Sequence, residues 1–213
     1  MFEQNTVFPR SVSRDQAAFD AGLRQHMLRV YNYMASGVLL TGIVAMLVAS
    51  TPALYQPIFG TPLKWVVMLA PLAFVFLFSF RIEKMSASSA QAAFWAFSGV
   101  MGLSLASIFL VFTGMSIAQT FFIAAAMFLS MSLWGYTTGQ DLSRFGSFLI
   151  MGVIGVLVFT GLTAWDTQNI KSQYAHNLGH ETETKMAVFG ALSLYLNFVN
   201  IFQLLLHLTG ERE

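Results

Sequence analysis

Asp, Glu, Lys, Arg and His are missing from five long stretches of this chain: Val30 to Leu63, Trp65 to Phe80, Met85 to Gln140, Phe145 to Trp165, and Met186 to Leu206. A helix rises 1.5 Å per residue, so about 20 apolar residues cross a hydrocarbon core of ~30 Å. The stretch ending at Gln140 is more than twice that length and must hold two spans. Its turn is placed at Thr113-Gly114-Met115-Ser116, where glycine and hydroxyls interrupt the apolar run. The pattern therefore predicts six helical spans, at about 32–50, 64–80, 90–112, 117–136, 145–165 and 186–208. The apolar runs are continuous, not alternating, which argues against a membrane barrel.

The first thirty residues are mostly polar, so no signal peptide is read there. From Ser11 onward, Ala17, Leu23, Met27 and Val30 are interleaved with Arg14, Arg24 and Arg29. This amphipathic pattern predicts an interfacial helix with arginines in the headgroup zone. The expected organisation is a tail over 1–30 followed by a transmembrane helix bundle over 31–213. Arg10, Arg14, Arg24 and Arg29 place the N-terminus in the cytoplasm by the positive-inside bias, and Arg81, Lys84 and Arg144 agree with that side.

Composition confirms the class. Of 213 residues, 56% are hydrophobic and only 10% charged, with 21 Phe and 12 Met. Soluble domains carry about 25% charged residues, so this is an all-α polytopic membrane protein whose first partner is the lipid bilayer. A net charge of +1 implies no nucleic-acid partner. With no cysteine, disulfides, thiolate metal sites and thiol catalysis are excluded. No phosphate loop, nucleophile elbow or catalytic acid pair is present, so no enzyme activity and no cofactor are expected.

Polar groups at membrane depth are costly and each is a functional candidate. Arg81 ends the expected second span and Asp166 the fifth, while Asn197 lies inside the last, followed on one stripe by Asn200 and Gln203. Structural readings stand beside the functional ones. Arg81 fits a snorkelling arginine. Asp166 fits an ordinary helix-end acid, and the three amides fit interhelical hydrogen-bonding groups. His176 and His180 stand four apart, a spacing seen in metal sites, but the surrounding polar residues favour a solvated loop.

Two stretches carry a family likeness. Gly161-Leu-Thr-Ala-Trp-Asp166-Thr-Gln-Asn-Ile-Lys171 resembles the end of the sixth helix of the Bax inhibitor family. Gly190-Ala-Leu-Ser-Leu-Tyr-Leu-Asn197-Phe-Val-Asn200-Ile-Phe202 resembles its last helix. Gly22-Leu-Arg-Gln-His-Met-Leu-Arg-Val-Tyr-Asn-Tyr-Met34 and Asp141-Leu-Ser-Arg-Phe-Gly-Ser-Phe148 are similar to its bacterial branch. The resemblance implies a seven-helix bundle and, in some members, a pH-sensitive calcium leak. There, two carboxylates share a proton and an arginine latches them. By motif position Asp166 matches the first carboxylate, Asn197 the second and Arg81 the arginine. Calcium would then be a transported ion, not a cofactor. The bacterial branch is also linked to regulation of a membrane-bound AAA protease, with the polar tail as the engaged part, and placement in the inner membrane is expected.

Two departures from the family pattern stand out. Asn197 is an amide, so no proton can be shared between two carboxylates at these positions; it can instead donate to ionised Asp166 and favour its charged form. Second, Asp141-Leu-Ser143 and Gly161-Leu-Thr-Ala164 are joined by a single apolar stretch, where the family has two helices. Roughly 25–30 residues, about one helix with its turn, are missing near Gly152-Val-Ile-Gly155. One fused, crossing helix over 145–165 is the expectation, which would set Asp166 on the side opposite Arg81, about a bilayer thickness away. Lys171 and Lys185 argue for the other side, through a re-entrant or kinked segment.

Overall fold

The structure, a computed structural model, describes residues 10–81, 84–140, 142, 155–174 and 179–212, with side chains from residue 18 onward except that of Ser79. Among the described residues seven α-helices follow in order: α1 (Arg10–Ser50), α2 (Pro52–Phe59), α3 (Leu63–Arg81), α4 (Ala87–Leu105), α5 (Gly114–Thr137), α6 (Gly155–Gln173) and α7 (His180–Thr209). A 3-10 turn over Ala106–Leu110 extends α4.

Local chemistry sets the boundaries. Pro52 opens α2, where its missing N–H costs nothing. The Ser86 hydroxyl caps α4 by accepting from the Ser89 N–H, and Thr113 caps α5 by accepting from that of Ser116. The break between the third and fourth spans therefore falls where Thr113-Gly114 placed it. Gly210 ends α7, its N–H bonding the Leu206 carbonyl. The following residues cross to the start of α5, where the Glu211 N–H donates to the Ser116 hydroxyl at 2.9 Å.

Among the described residues, four helices are long and apolar enough to cross a membrane: Ala18–Ser50, Ala87–Leu110, Gly114–Thr137 and His180–Thr209. α2 and α3, bent by 88° at their junction, add a fifth if taken as one broken span. The expected fifth span, over 145–165, is not found in that form. Residues 145–154 lie outside the described residues, and α6 instead runs from Gly155 through the polar Asp166–Lys171 stretch, which leaves its apolar part too short for that test.

α1 also differs from expectation. It continues without a break across residue 30. Leu23, Met27 and Val30 are buried against the other helices and not spread on an interface. A stripe of apolar residues at helical spacing fits a bundle core as well as a membrane surface. Here Glu183 on α7 decides it, pairing with Arg29 at 3.5 Å.

The core is centred on α7. Phe94 and Phe97 of α4 meet Tyr195 edge-on at 6.1 and 5.6 Å, and Phe128 of α5 meets Phe198 at 5.9 Å. Helix directions follow from such pairs. α6 runs antiparallel to α7, since Gly155 lies against Leu204, Asp166 against Ser193 and Asn197, and Ile170 against Gly190. α5 is antiparallel to α7 as well, from Ser116 beside Glu211 to Phe128 beside Phe198. α5 and α6 are thus parallel neighbours. Leu142, just beyond α5, donates its N–H to the Gln168 side chain at 2.8 Å. Gly155 lies thirteen residues before Gln168, about 20 Å along α6. Leu142 and Gly155 therefore sit at well-separated levels of the bundle.

The α5–α6 contact is close because Gly135 lacks a side chain: a Cβ there would lie 2.2 Å from the Ala164 carbonyl oxygen. Gly135→Ala must push the two backbones apart, with an expected loss of about 1–3 kcal/mol in stability. Gly99→Ala, on α4 with nothing within 4 Å, serves as control. Thermal unfolding of the purified protein in detergent checks this; equal transitions for the two variants would refute the close packing.

Candidate functional site

Asp166 is the twelfth residue of α6, not a residue at a helix end as the chain pattern suggested. Its half-buried carboxylate faces α7. One oxygen, Oδ2, accepts hydrogen bonds from the Ser193 hydroxyl at 2.6 Å and from Asn197 Nδ2 at 2.7 Å. Ser193 and Asn197 stand four residues apart on α7, so one face of that helix presents both donors to the same atom. The amide at Asn197 thus does what the sequence allowed: it donates to Asp166.

Hydroxyl contacts continue from this site in two directions. Thr167, beside Asp166, contacts the Ser132 hydroxyl on α5 at 3.0 Å, and Ser132 bonds the Tyr31 hydroxyl on α1. Tyr195, between the two donors, bonds Thr41 at 2.7 Å, and Thr41 donates to the Ser98 carbonyl at 2.8 Å. Five elements are tied by side-chain bonds near the centre of the bundle, as buried polar groups in an apolar medium require.

Arg81 is not part of this cluster. The Phe74 ring lies 5.6 Å from that of Phe97, tilted against it, and Phe97 meets Tyr195 edge-on, which places Phe74 near the level of the carboxylate. Arg81 lies seven residues on, so its axial offset from that level is about 10 Å and not a bilayer thickness. The expected placement on opposite sides is corrected: α6 brings Asp166 back into the bundle instead of carrying it out through the far face. Even so the two form no ion pair, because α3 packs on α4 and Arg81 is exposed.

The remaining candidates divide. Asn200 and Gln203 make no hydrogen bond among the described residues, so the interhelical role holds for Asn197 alone. They face a cavity between α3, α4 and α7. His180 is exposed, and His176 lies outside the described residues. No grouping of three or more potential metal-binding His, Asp or Glu residues occurs among the described residues.

Sequence reasoning missed a second polar group. His26 of α1 is buried, with Nδ1 3.9 Å from Glu183 Oε1, and its ring lies 5.3 Å from that of Tyr174. The signal was present in the spacing: His26 falls within the Leu23-Met27-Val30 stripe and shares its face. Ser193 was legible too, one turn before Asn197.

Comparison with known proteins identifies the lineage. A family model described as inhibitor of apoptosis-promoting Bax1 matches residues 23–158 and 152–213. The chain belongs to the Bax inhibitor family. It is similar to an uncharacterised protein of Rickettsia prowazekii, 40% identical with 92% of this chain and 93% of that protein covered. An uncharacterised protein of Caulobacter vibrioides is 39% identical, with 99% and 98% covered. The inner membrane protein YbhL of Escherichia coli K12 is 39% identical, with 97% and 99% covered. That last alignment runs over 238 positions but takes in 97% of 213 residues, about 207, so some thirty positions of the relative have no counterpart here. The family match is itself split, its two parts meeting at residues 152–158. A missing helix-plus-turn near Gly152–Gly155 accounts for both observations and for the parallel course of α5 and α6.

If the Asp166–Asn197 contact ties α6 to α7, Asp166→Asn and Asn197→Ala should not be additive. A double-mutant cycle on unfolding in detergent is expected to show coupling of about 1 kcal/mol, within the range for polar pairs in membrane bundles. Additive effects would mean that the contact contributes nothing.

Proposed function

We propose that this chain is a calcium-permeable leak of the inner membrane, with its N-terminus in the cytoplasm and its permeation controlled at Asp166. The observation that carries the reading is a carboxylate held inside an apolar bundle by two side-chain donors on the neighbouring helix. Such a group is expensive to place at membrane depth and marks an ion route in many membrane proteins. Family membership and the motif position of Asp166 support the same assignment.

The chemistry differs from that of a carboxylate pair. Asp166 offers a hard anionic oxygen, and Asn197 and Ser193 add a neutral amide and hydroxyl oxygen. Calcium takes about 6–8 oxygen ligands when held, so this set suits an ion in passage and not a resident one. With Asn197 in place of an acid, the pH response belongs to one group. Protonating Asp166 removes the charge that would draw a cation through. Arg81 has no part as a latch in this mechanism.

Calcium flux into dye-loaded proteoliposomes, followed across a pH series, tests the reading. The wild-type flux is expected to vary along a single-group titration, and Asp166→Asn should abolish that dependence while preserving the fold. A pH-dependent flux unchanged in the variant would remove Asp166 from the mechanism and leave the partner of a membrane-bound AAA protease as the better reading.

A further inference from the structure

Asn200 and Gln203 extend the α7 face beyond Asn197, in the same apolar span. Both are half-buried, neither has a hydrogen-bond partner among the described residues, and neither amide is sealed from access. An amide exposed only to hydrocarbon would carry a penalty of several kcal/mol. Something polar must therefore meet them.

The cavity that they line encloses about 540 Å³. Leu72 and Val75 of α3 form one wall, Ser104 and Ser107 the second, and the exposed His207 lies toward the end where α7 terminates. A groove of similar size, about 520 Å³, separates α1 from α5. Its lining of residues such as Met34, Val38, Ile43 and Phe128 is apolar, and a lipid tail would satisfy it. Apolar side chains supply most of both linings, but only the first also gathers two amides, two hydroxyls and an imidazole.

We propose that the cavity between α3, α4 and α7 is a water-filled vestibule, entered from the end of the bundle where α7 terminates and closed inward at Leu196. It brings water and small hydrated solutes to Asn200, about 4.5 Å along the helix from Asn197. None of its lining residues is acidic, so amides, hydroxyls and one imidazole offer solvation without tight ion binding. The inference does not rest on calcium permeation: the vestibule would be wet in a protein that conducts nothing.

The chain has no native cysteine, which allows a direct test. Asn200→Cys, Gln203→Cys and, on the facing wall, Ser104→Cys are reconstituted in proteoliposomes. A charged methanethiosulfonate reagent is supplied on both faces of the membrane. Phe122→Cys, at a residue itself 72% exposed in the apolar α5, is the lipid-facing control, and the exposed Thr209→Cys is the aqueous control. Only a hydrated thiol ionises readily, so positions 200, 203 and 104 should react within about tenfold of position 209 and roughly 100-fold faster than 122. Rates at all three cavity positions as slow as at 122 would overturn the proposal. Fast reaction at 203 with slow reaction at both 200 and 104 would overturn its inward extent. Ser104→Cys keeps the test decisive if either amide variant fails to fold.

Discussion

A carboxylate inside an apolar bundle has to find donors, and here both come from one face of one helix. Ser193 and Asn197 hold Asp166 Oδ2 at 2.6 and 2.7 Å. That requirement sets the register of α6 against α7, because sliding either helix by a residue would remove both donors at once. The rest follows from the register. Thr167 is brought to Ser132, Ala164 to the bare backbone of Gly135, and Ile170 to Gly190. Close approach at two glycines and a fixed polar contact together hold α6 against α5 and α7.

The same register organises the rest of the interior. Parallel helices α5 and α6 remain neighbours, and Gln168 fastens both Leu142 and the Gln140 carbonyl beside the C-terminal half of α6. The polar site is thus built wholly from α6 and α7, with support from α1, α4 and α5. None of these contacts needs the missing segment. The donors to Asp166 lie well away from residues 152–158, where the two parts of the family match overlap.

Much of the fold was legible because lipid leaves a strong mark on sequence. The spans of α1, α3, α4, α5 and α7 were visible as runs without charge, and Thr113-Gly114 located a helix start. What remained hidden has physical causes. A buried stripe and an interfacial stripe share one period, so Leu23, Met27 and Val30 could not say whether they faced core or headgroups. The apolar run before Asp166 had the length of a span, which suggested a fused crossing helix. In the structure the polar half of α6 is bonded by hydroxyls, the Asn197 amide and backbone groups of neighbouring segments. Asp166 and Asn197 were legible as a pair from motif position. Ser193, one turn away on the same face, was recoverable from helical spacing alone. The separation of Arg81 from Asp166 was expected, but from a crossing helix; its cause in the structure is that α3 packs against α4.

The central claim is that α6 re-enters the bundle parallel to α5, so that its C-terminal end shares a side with the end of α5. Sidedness of single cysteines measures this most directly. Ser172→Cys, Gln140→Cys and Thr209→Cys are each labelled with an impermeant thiol reagent in intact cells and again after lysis. The account predicts that positions 172 and 140 behave alike and that 209 is labelled from the opposite side. Position 172 following 209, with 140 alone on the other side, would contradict it.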